Sequence, residues 1–170
     1  RLSDLISEIS KIKNLKRIRY TTSHPRDFTD DLIDAHKNFK KLMPLIHLPV
    51  QSGSNKILKE MNRKHNIEEY LEIIAKLKKI KPDVQFSSDF IIGYPGETNE
   101  DFLKTLKLMN DIKFINSYSF IFSARPGTTA SKFKPIDEKI SKGRLKIIQE
   151  KLFGYQKLKN KSLENKYVDV

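Results

Sequence analysis

A repeating rhythm constrains this chain more than any single residue does. Short apolar runs, each ending in a polar or glycine-rich turn, alternate with longer segments of helical period. The runs fall near residues 16–22, 45–50, 84–92 and 117–122, roughly 30–40 residues apart, with helical patterns between them. Strands recurring at this spacing belong to right-handed βαβ units, and so to a parallel sheet or barrel. The order read along the chain is α-β-α-β-α-β-α-β-α, an α/β fold. With 170 residues the chain can bury a core, but it falls short of the roughly 250 of a complete eightfold barrel.

Local signals place the elements. Leu2, Leu5, Ile6, Ile9 and Ile12 recur at helical spacing and predict a helix over 2–13. Ile18, Tyr20 and Thr22 alternate with Arg17, Arg19 and Thr21, a strand that Pro25 stops. Thr29 suits an N-cap, with Phe28 placed to staple against Ile33. Ile57, Leu58 and Met61 share one face of the helix after Ser54. Asn66 with Glu69 opens another helix, lined by Tyr70, Leu71, Ile74, Leu77 and Ile80. Val84, Phe86, Ser88, Phe90 and Ile92 form one side of a single strand. Thr98, with Asp101 three residues on, caps a helix running to about Asp111. Tyr118, Phe120 and Phe122 alternate along the last strand. Leu145, Ile148, Leu152 and Tyr155 then mark one long basic helix over 136–166, after a body spanning 1–135.

Four loops leave the C-terminal ends of these strands: Thr22 to Pro25, Gln51 to Ser54, Gly93 to Thr98, and Ser123 to Thr128. In a parallel sheet they open at one end, where α/β folds bind ligands. Glycines at 53, 93, 96 and 127 permit close backbone approach or a positive φ. Gln51, Ser52, Gly53 and Ser54 gather an amide, hydroxyls and helix N–H groups, and Arg63 follows twelve positions after Gln51. An ordinary capped loop is the plainer reading of those four residues. Asp89 lies inside an apolar strand, a costly place for a carboxylate unless it is paired or bonded to a ligand hydroxyl. Both explanations stay open. His47 reads as a hydrogen-bonded core or lumen histidine. His24 and His65 sit in loops. The four histidines form no close pair and have no cysteine companions, which argues against zinc. Ser-His-Asp, Walker A and GxGxxG patterns are absent.

The formal net charge is +12, and from Lys132 onward eleven Lys/Arg stand against five Asp/Glu. A basic face of this size suits an anionic partner such as RNA, unless the lysines are merely solvated. Without cysteine, no disulfide, thiolate-held metal or iron–sulfur cluster can be ligated by these residues. The apolar runs are too short for a membrane span and no secretory pattern is visible, so a cytoplasmic setting is expected. Arg1 enters directly into an amphipathic pattern, and Tyr167-Val168-Asp169-Val170 reads as the start of a strand. A piece of a longer protein is the expectation.

Three stretches carry a resemblance: HLPVQSGSNKILKEMNRKH from His47, SSDFIIGYPGET from Ser87, and YSFIFSARPGT from Tyr118. Together they resemble the C-terminal half of the radical SAM domain of methylthiotransferases, over nearly the whole chain. Arg19-Tyr20-Thr21-Thr22-Ser23-His24-Pro25 resembles the segment that marks the tRNA branch of that family. The resemblance implies the C-terminal part of a partial (β/α)6 barrel holding S-adenosylmethionine. It implies transfer of a methylthio group to C2 of N6-isopentenyladenosine beside the anticodon of tRNA. One 4Fe-4S cluster, supplied by a cellular electron donor, would cleave the cofactor to a 5′-deoxyadenosyl radical, and a second would deliver sulfur. The cluster cysteines lie upstream in the family, so this piece alone is expected to be inactive and its catalytic residues are not assigned.

Carried over position by position, Gln51 and Asp89 would approach the ribose. Arg63 would pair with the methionyl carboxylate. The Ile91-Ile92-Gly93 backbone would flank adenine, and Ser52 would add a polar contact. Arg125, His24 and the basic tail are expected to meet substrate RNA. Residues 167–170 would begin an RNA-binding TRAM domain, and the enzyme is expected to be a monomer without membrane association. Two alternatives are the same chemistry on a ribosomal protein or threonylcarbamoyl-tRNA, and a non-catalytic basic RNA-binding α/β module.

Overall fold

Parallel pairing organises the molecule. The structure is a computed structural model and describes residues 1–21 and 24–167. Strand β1 (Leu45–His47) pairs with β2 (Gln85–Ser87), and β3 (Asp89–Ile92) with β4 (Tyr118–Ile121), both in parallel. A bridge between Gln51 and Phe90 joins the two pairs, and bridges from Ile18 to Leu42 and Thr21 to His47 lay residues 18–21 beside β1. The strands therefore lie in chain order. Helices make the crossovers: α2 (Asp30–Asn38), α3 (Asn55–Glu60) with α4 (Ile67–Ile80), and α5 (Asn99–Ile112). Helix α1 (Leu2–Ser10) precedes them and α6 (Glu138–Lys161) follows β4.

The expected strand face holds. Val84, Phe86, Ser88, Phe90 and Ile92 are all buried, and the four apolar ones meet Leu32, Ile74, Leu77, Met109 and Ile148 of the helical layer in one core. Burying each such large apolar side chain contributes roughly 1.5–3 kcal/mol. The opposite face is open: Tyr118 and Phe120 are 63% and 56% exposed. Reciprocal caps form where the sequence placed them, at Asn66 with Glu69 and at Thr98 with Asp101.

Several expectations change. The single strand over 84–92 is interrupted at Ser88. Pro49 has no N–H to donate, and the Val50 N–H goes to the Ser88 hydroxyl at 2.9 Å, so the ladder resumes only at Gln51. The strand over 16–22 reduces to the two bridges, and Thr22 and Ser23 lie outside the described residues. The first helix stops at Ser10 rather than 13, because the Lys11 and Ile12 amides bond three residues back, tightening the last turn. Leu71, expected on a buried face, is 38% exposed. Helix α6 starts and ends inside the 136–166 window. The strand expected from Tyr167 falls on Val168–Val170, outside the described residues.

Candidate functional site

The turn after β1 is built around Gln51, whose φ of +71° is left-handed. For a residue with a Cβ this conformation costs about 1–3 kcal/mol. Its backbone is held on both sides: the N–H donates to the Asp89 carbonyl and the carbonyl accepts the Ile91 N–H, both at 2.9 Å. The turn is then welded to α5. Ser52 is buried, its hydroxyl 3.4 Å from that of Thr105 and accepting the Ser54 N–H. The Gly53 N–H donates to Thr105 Oγ1, and a Cβ at 53 would lie 2.5 Å from Thr105 Cα. Gly53 thus serves helix packing.

Arg63 arrives by a back-turn at the end of α3. Asn62 takes φ +56° and the Arg63 N–H caps the Leu58 carbonyl. The guanidinium is half-buried, and among the described residues it makes no hydrogen bond or ion pair. Burial lowers its pKa from the ordinary arginine value, partly opposed by the Asp89 carboxylate; it stays charged. Asp89 does have a structural partner, since its Oδ2 lies 3.5 Å from His47 Nε2, and His47 Nδ1 is 2.7 Å from Ser87 Oγ. At that length the contact leaves acceptor capacity for a ligand hydroxyl.

A cavity of about 880 Å³ opens at this end of the sheet, its walls including Arg63, Ile91, Tyr94, Phe120 and Arg125. That volume accommodates a nucleoside-sized ligand. Of the residues singled out from sequence, Arg63, Ile91 and Arg125 share this wall. Gln51, Asp89 and Gly93 flank Ile91 without lining it, and Ser52 faces α5. His24 caps the short 3-10 turn Pro25–Asp27 by accepting the Arg26 N–H on Nδ1, and its ring meets His65 edge-on at 5.0 Å. Burial and then the nearby Arg63 charge lower the His24 pKa.

Two residues that sequence reasoning left unassigned hold the loop after β3. The Glu97 side chain is 1% exposed. Its Oε2 accepts the Gly93 N–H at 3.0 Å and Arg144 Nη1 at 2.7 Å. Burial pushes its carboxyl pKa up, opposed by those two donors. Arg144 comes from α6, also donates to the Glu97 carbonyl, and lies over the Phe102 ring at 5.3 Å. Tyr94 donates to the Glu60 carbonyl and Lys56 to the Gly96 carbonyl, each at 2.8 Å. The signal for Arg144 was its place beside Ser141, Leu145 and Ile148 on the inward stripe of α6, among otherwise solvated bases.

Residues 1–109 match the Radical SAM superfamily. This chain belongs to that superfamily. Two solved structures share the fold at low identity. Coproporphyrinogen III oxidase from Escherichia coli, a Radical SAM enzyme, gives a TM-score of 0.62 at 20% identity, covering 78% of this chain and 31% of that one. Elp3 from Methanocaldococcus infernus gives 0.54 at 21%, covering 78% and 30%. Among curated relatives, the protein of Pelagibacter ubique named tRNA-2-methylthio-N(6)-dimethylallyladenosine synthase is 64% identical over all of this chain. The protein of the same name from Ehrlichia canis is 53% identical over 95% of it. The chain spans 38% and 37% of the lengths of these two relatives.

Proposed function

We propose that this chain is the cofactor-holding part of a radical SAM enzyme that adds a methylthio group to C2 of N6-isopentenyladenosine in tRNA. The 64% identity over the whole chain to the Pelagibacter ubique synthase carries the substrate reading.

The residues present suit S-adenosylmethionine. Arg63 offers a half-buried guanidinium at the cavity wall, without a hydrogen bond or ion pair among the described residues, the geometry that pairs two-pronged with a carboxylate such as that of methionine. Asp89 and the Gln51 amide supply an acceptor and a mixed donor–acceptor for ribose hydroxyls. The Ile91 side chain offers an apolar surface, and the Ile91-to-Gly93 backbone an edge, for adenine. Ser52 acts one step back, fixing the turn that holds Gln51. When bound, the cofactor supplies hydrogen-abstraction chemistry; these side chains hold its carboxylate, orient its sugar and exclude water. The 170 residues contain no cysteine and so do not fit an iron–sulfur cluster. The two 4Fe-4S clusters of this reading take their thiolates from elsewhere in the whole protein.

Substrate tRNA would meet the exposed Arg125 at the cavity rim, His24, and α6, which carries eight Lys/Arg against two Glu. Phosphate contacts of this kind are strongly salt-dependent. Among the described residues no helix is long and apolar enough to cross a membrane. The reading includes a cellular electron donor and a monomeric enzyme in the cytoplasm.

In the full-length protein, Arg63→Ala should weaken S-adenosylmethionine binding by about 1.5–3 kcal/mol in calorimetry; unchanged affinity would remove Arg63 from the site. Replacing Lys139, Lys142, Lys146 and Lys157 with Gln should weaken tRNA binding and flatten its salt dependence. Mass spectrometry of tRNA from cells lacking the gene should show loss of the 2-methylthio mark on isopentenyladenosine. Persistence of that mark with loss of another methylthio group would redirect the substrate assignment.

A further inference from the structure

We infer that Glu97 and Arg144 are a positioning pair for the cofactor, with α6 setting the Ile92–Gly93 peptide from outside the sheet. The inference rests on the proposed reading of Gly93 as a cofactor contact.

The sheet secures this peptide on one side only, where the Ile92 carbonyl accepts the Phe122 N–H at 2.7 Å. The next group, the Gly93 N–H, leaves the ladder and is taken by Glu97 Oε2. That same oxygen receives Arg144, whose Nη1 also grips the Glu97 carbonyl. One guanidinium thereby fixes both ends of the residue that holds Gly93. Ser141, one turn earlier on α6, closes the third side: a Cβ at 93 would lie 2.5 Å from its hydroxyl, and Gly93 takes φ +75°.

Packing alone does not explain the pair. The two side chains are 1% and 11% exposed, and a buried ion pair is commonly matched in stability by well-packed apolar residues. Glu97 Oε1 also has no hydrogen-bond partner among the described residues, a desolvation cost the fold carries. What an apolar pair could not supply is an acceptor aimed at the Gly93 N–H. Arg144 holds that acceptor in place without touching the ligand.

The test uses the full-length protein with Arg144→Met, Arg144→Lys and Glu97→Gln, and Leu152→Ala as a control on the inward face of the same helix. S-adenosylmethionine affinity is measured by calorimetry well below each variant's melting temperature, and tRNA affinity by gel shift. Arg144→Met should weaken cofactor binding about tenfold, or about 1.4 kcal/mol, with tRNA affinity within about twofold. Arg144→Lys, which keeps the charge but loses the planar guanidinium over Phe102, should fall between Arg144→Met and wild type. Should Arg144→Met not fold, Arg144→Lys and Glu97→Gln must still weaken cofactor binding beyond the Leu152→Ala control. Cofactor affinity at wild-type level in the folded variants, or an equal loss from Leu152→Ala, overturns the inference. Arg63→Ala separates the two readings: a loss there without one at Arg144 sinks only the positioning pair, and no loss at either sinks the site.

Discussion

Two loops of this protein share almost the same four residues and end differently. After β3 the chain reads Pro95-Gly96-Glu97-Thr98, and after β4 it reads Pro126-Gly127-Thr128-Thr129. The glycines take nearly the same left-handed φ, +82° and +81°, as a proline–glycine turn requires. Beyond the glycine they part. Glu97 reaches back to Gly93 and on to Arg144, whereas the Thr128 hydroxyl donates to the Arg125 carbonyl within its own turn. Thr98 finds Asp101 three residues on and opens the fourteen-residue α5. Thr129 has Lys132 there, no carboxylate completes a box, and only the 3-10 turn Thr129–Lys132 forms. The turn dipeptide sets the reversal; the residue after it decides whether the loop is anchored. The anchored loop lies beside the proposed cofactor contacts, and the exposed one carries Arg125 to the cavity rim.

Substitutions in matched positions can break this contrast, each read by denaturant titration of the full-length protein. Glu97→Ala should show the largest effect, about 3–5 kcal/mol, because it leaves Arg144 buried without its partner. Thr128→Ala should stay within about 0.5 kcal/mol. Similar losses at the two sites would erase the distinction. Gly127→Ala should cost about 1 kcal/mol for its backbone conformation alone. Gly93→Ala should add about 1–3 kcal/mol for overpacking against Ser141, and Ser141→Gly in the same chain should recover part of it. No recovery would mean that the contact is not the cause.

Asp101 gives a smaller effect, resolved by pH. Burial pushes its carboxyl up, but hydrogen bonds from Ser54, Thr98 and Lys56 outweigh this and hold its pKa well below the ordinary 3.8. A carboxyl depressed in the folded state stabilises above its unfolded pKa, and that stabilisation fades as pH falls below it. The gap between wild type and Asp101→Asn should therefore be about 2 kcal/mol near neutrality and shrink toward pH 3. A gap constant with pH would show that the charge is not its source. Thr98→Ala, losing a cap, should cost about 1 kcal/mol; Thr129, which caps no α-helix, should lose less.

The parts legible in the sequence were those encoded over a few residues. Period-two alternation placed Val84, Phe86, Phe90 and Ile92 on the buried face, and the box chemistry at Asn66 and Thr98 placed two helix starts. The break at Ser88 was legible only in part: Pro49 is plain in the sequence, but the Ser88 hydroxyl that takes the Val50 N–H lies 38 residues away. Gly53 invited a ligand-approach reading and instead meets the backbone of α5. No local pattern announces that Gln51 takes a positive φ, because that strain is held by Asp89 and Ile91 across the sheet.

By itself, then, the sequence determined the strand–helix rhythm, the parallel pairing, the inward faces and the end of the sheet where polar loops gather. Each follows from periodicity, capping and turn chemistry within one βαβ unit. Only the tertiary structure decided which loop is anchored, that Arg63 stands half-buried at a cavity with no hydrogen bond or ion pair among the described residues, and that Arg144 reaches Glu97 across 47 residues. Contacts between units depend on how helices settle on the twisted sheet, and that packing is a property of the whole fold rather than of any window along the chain.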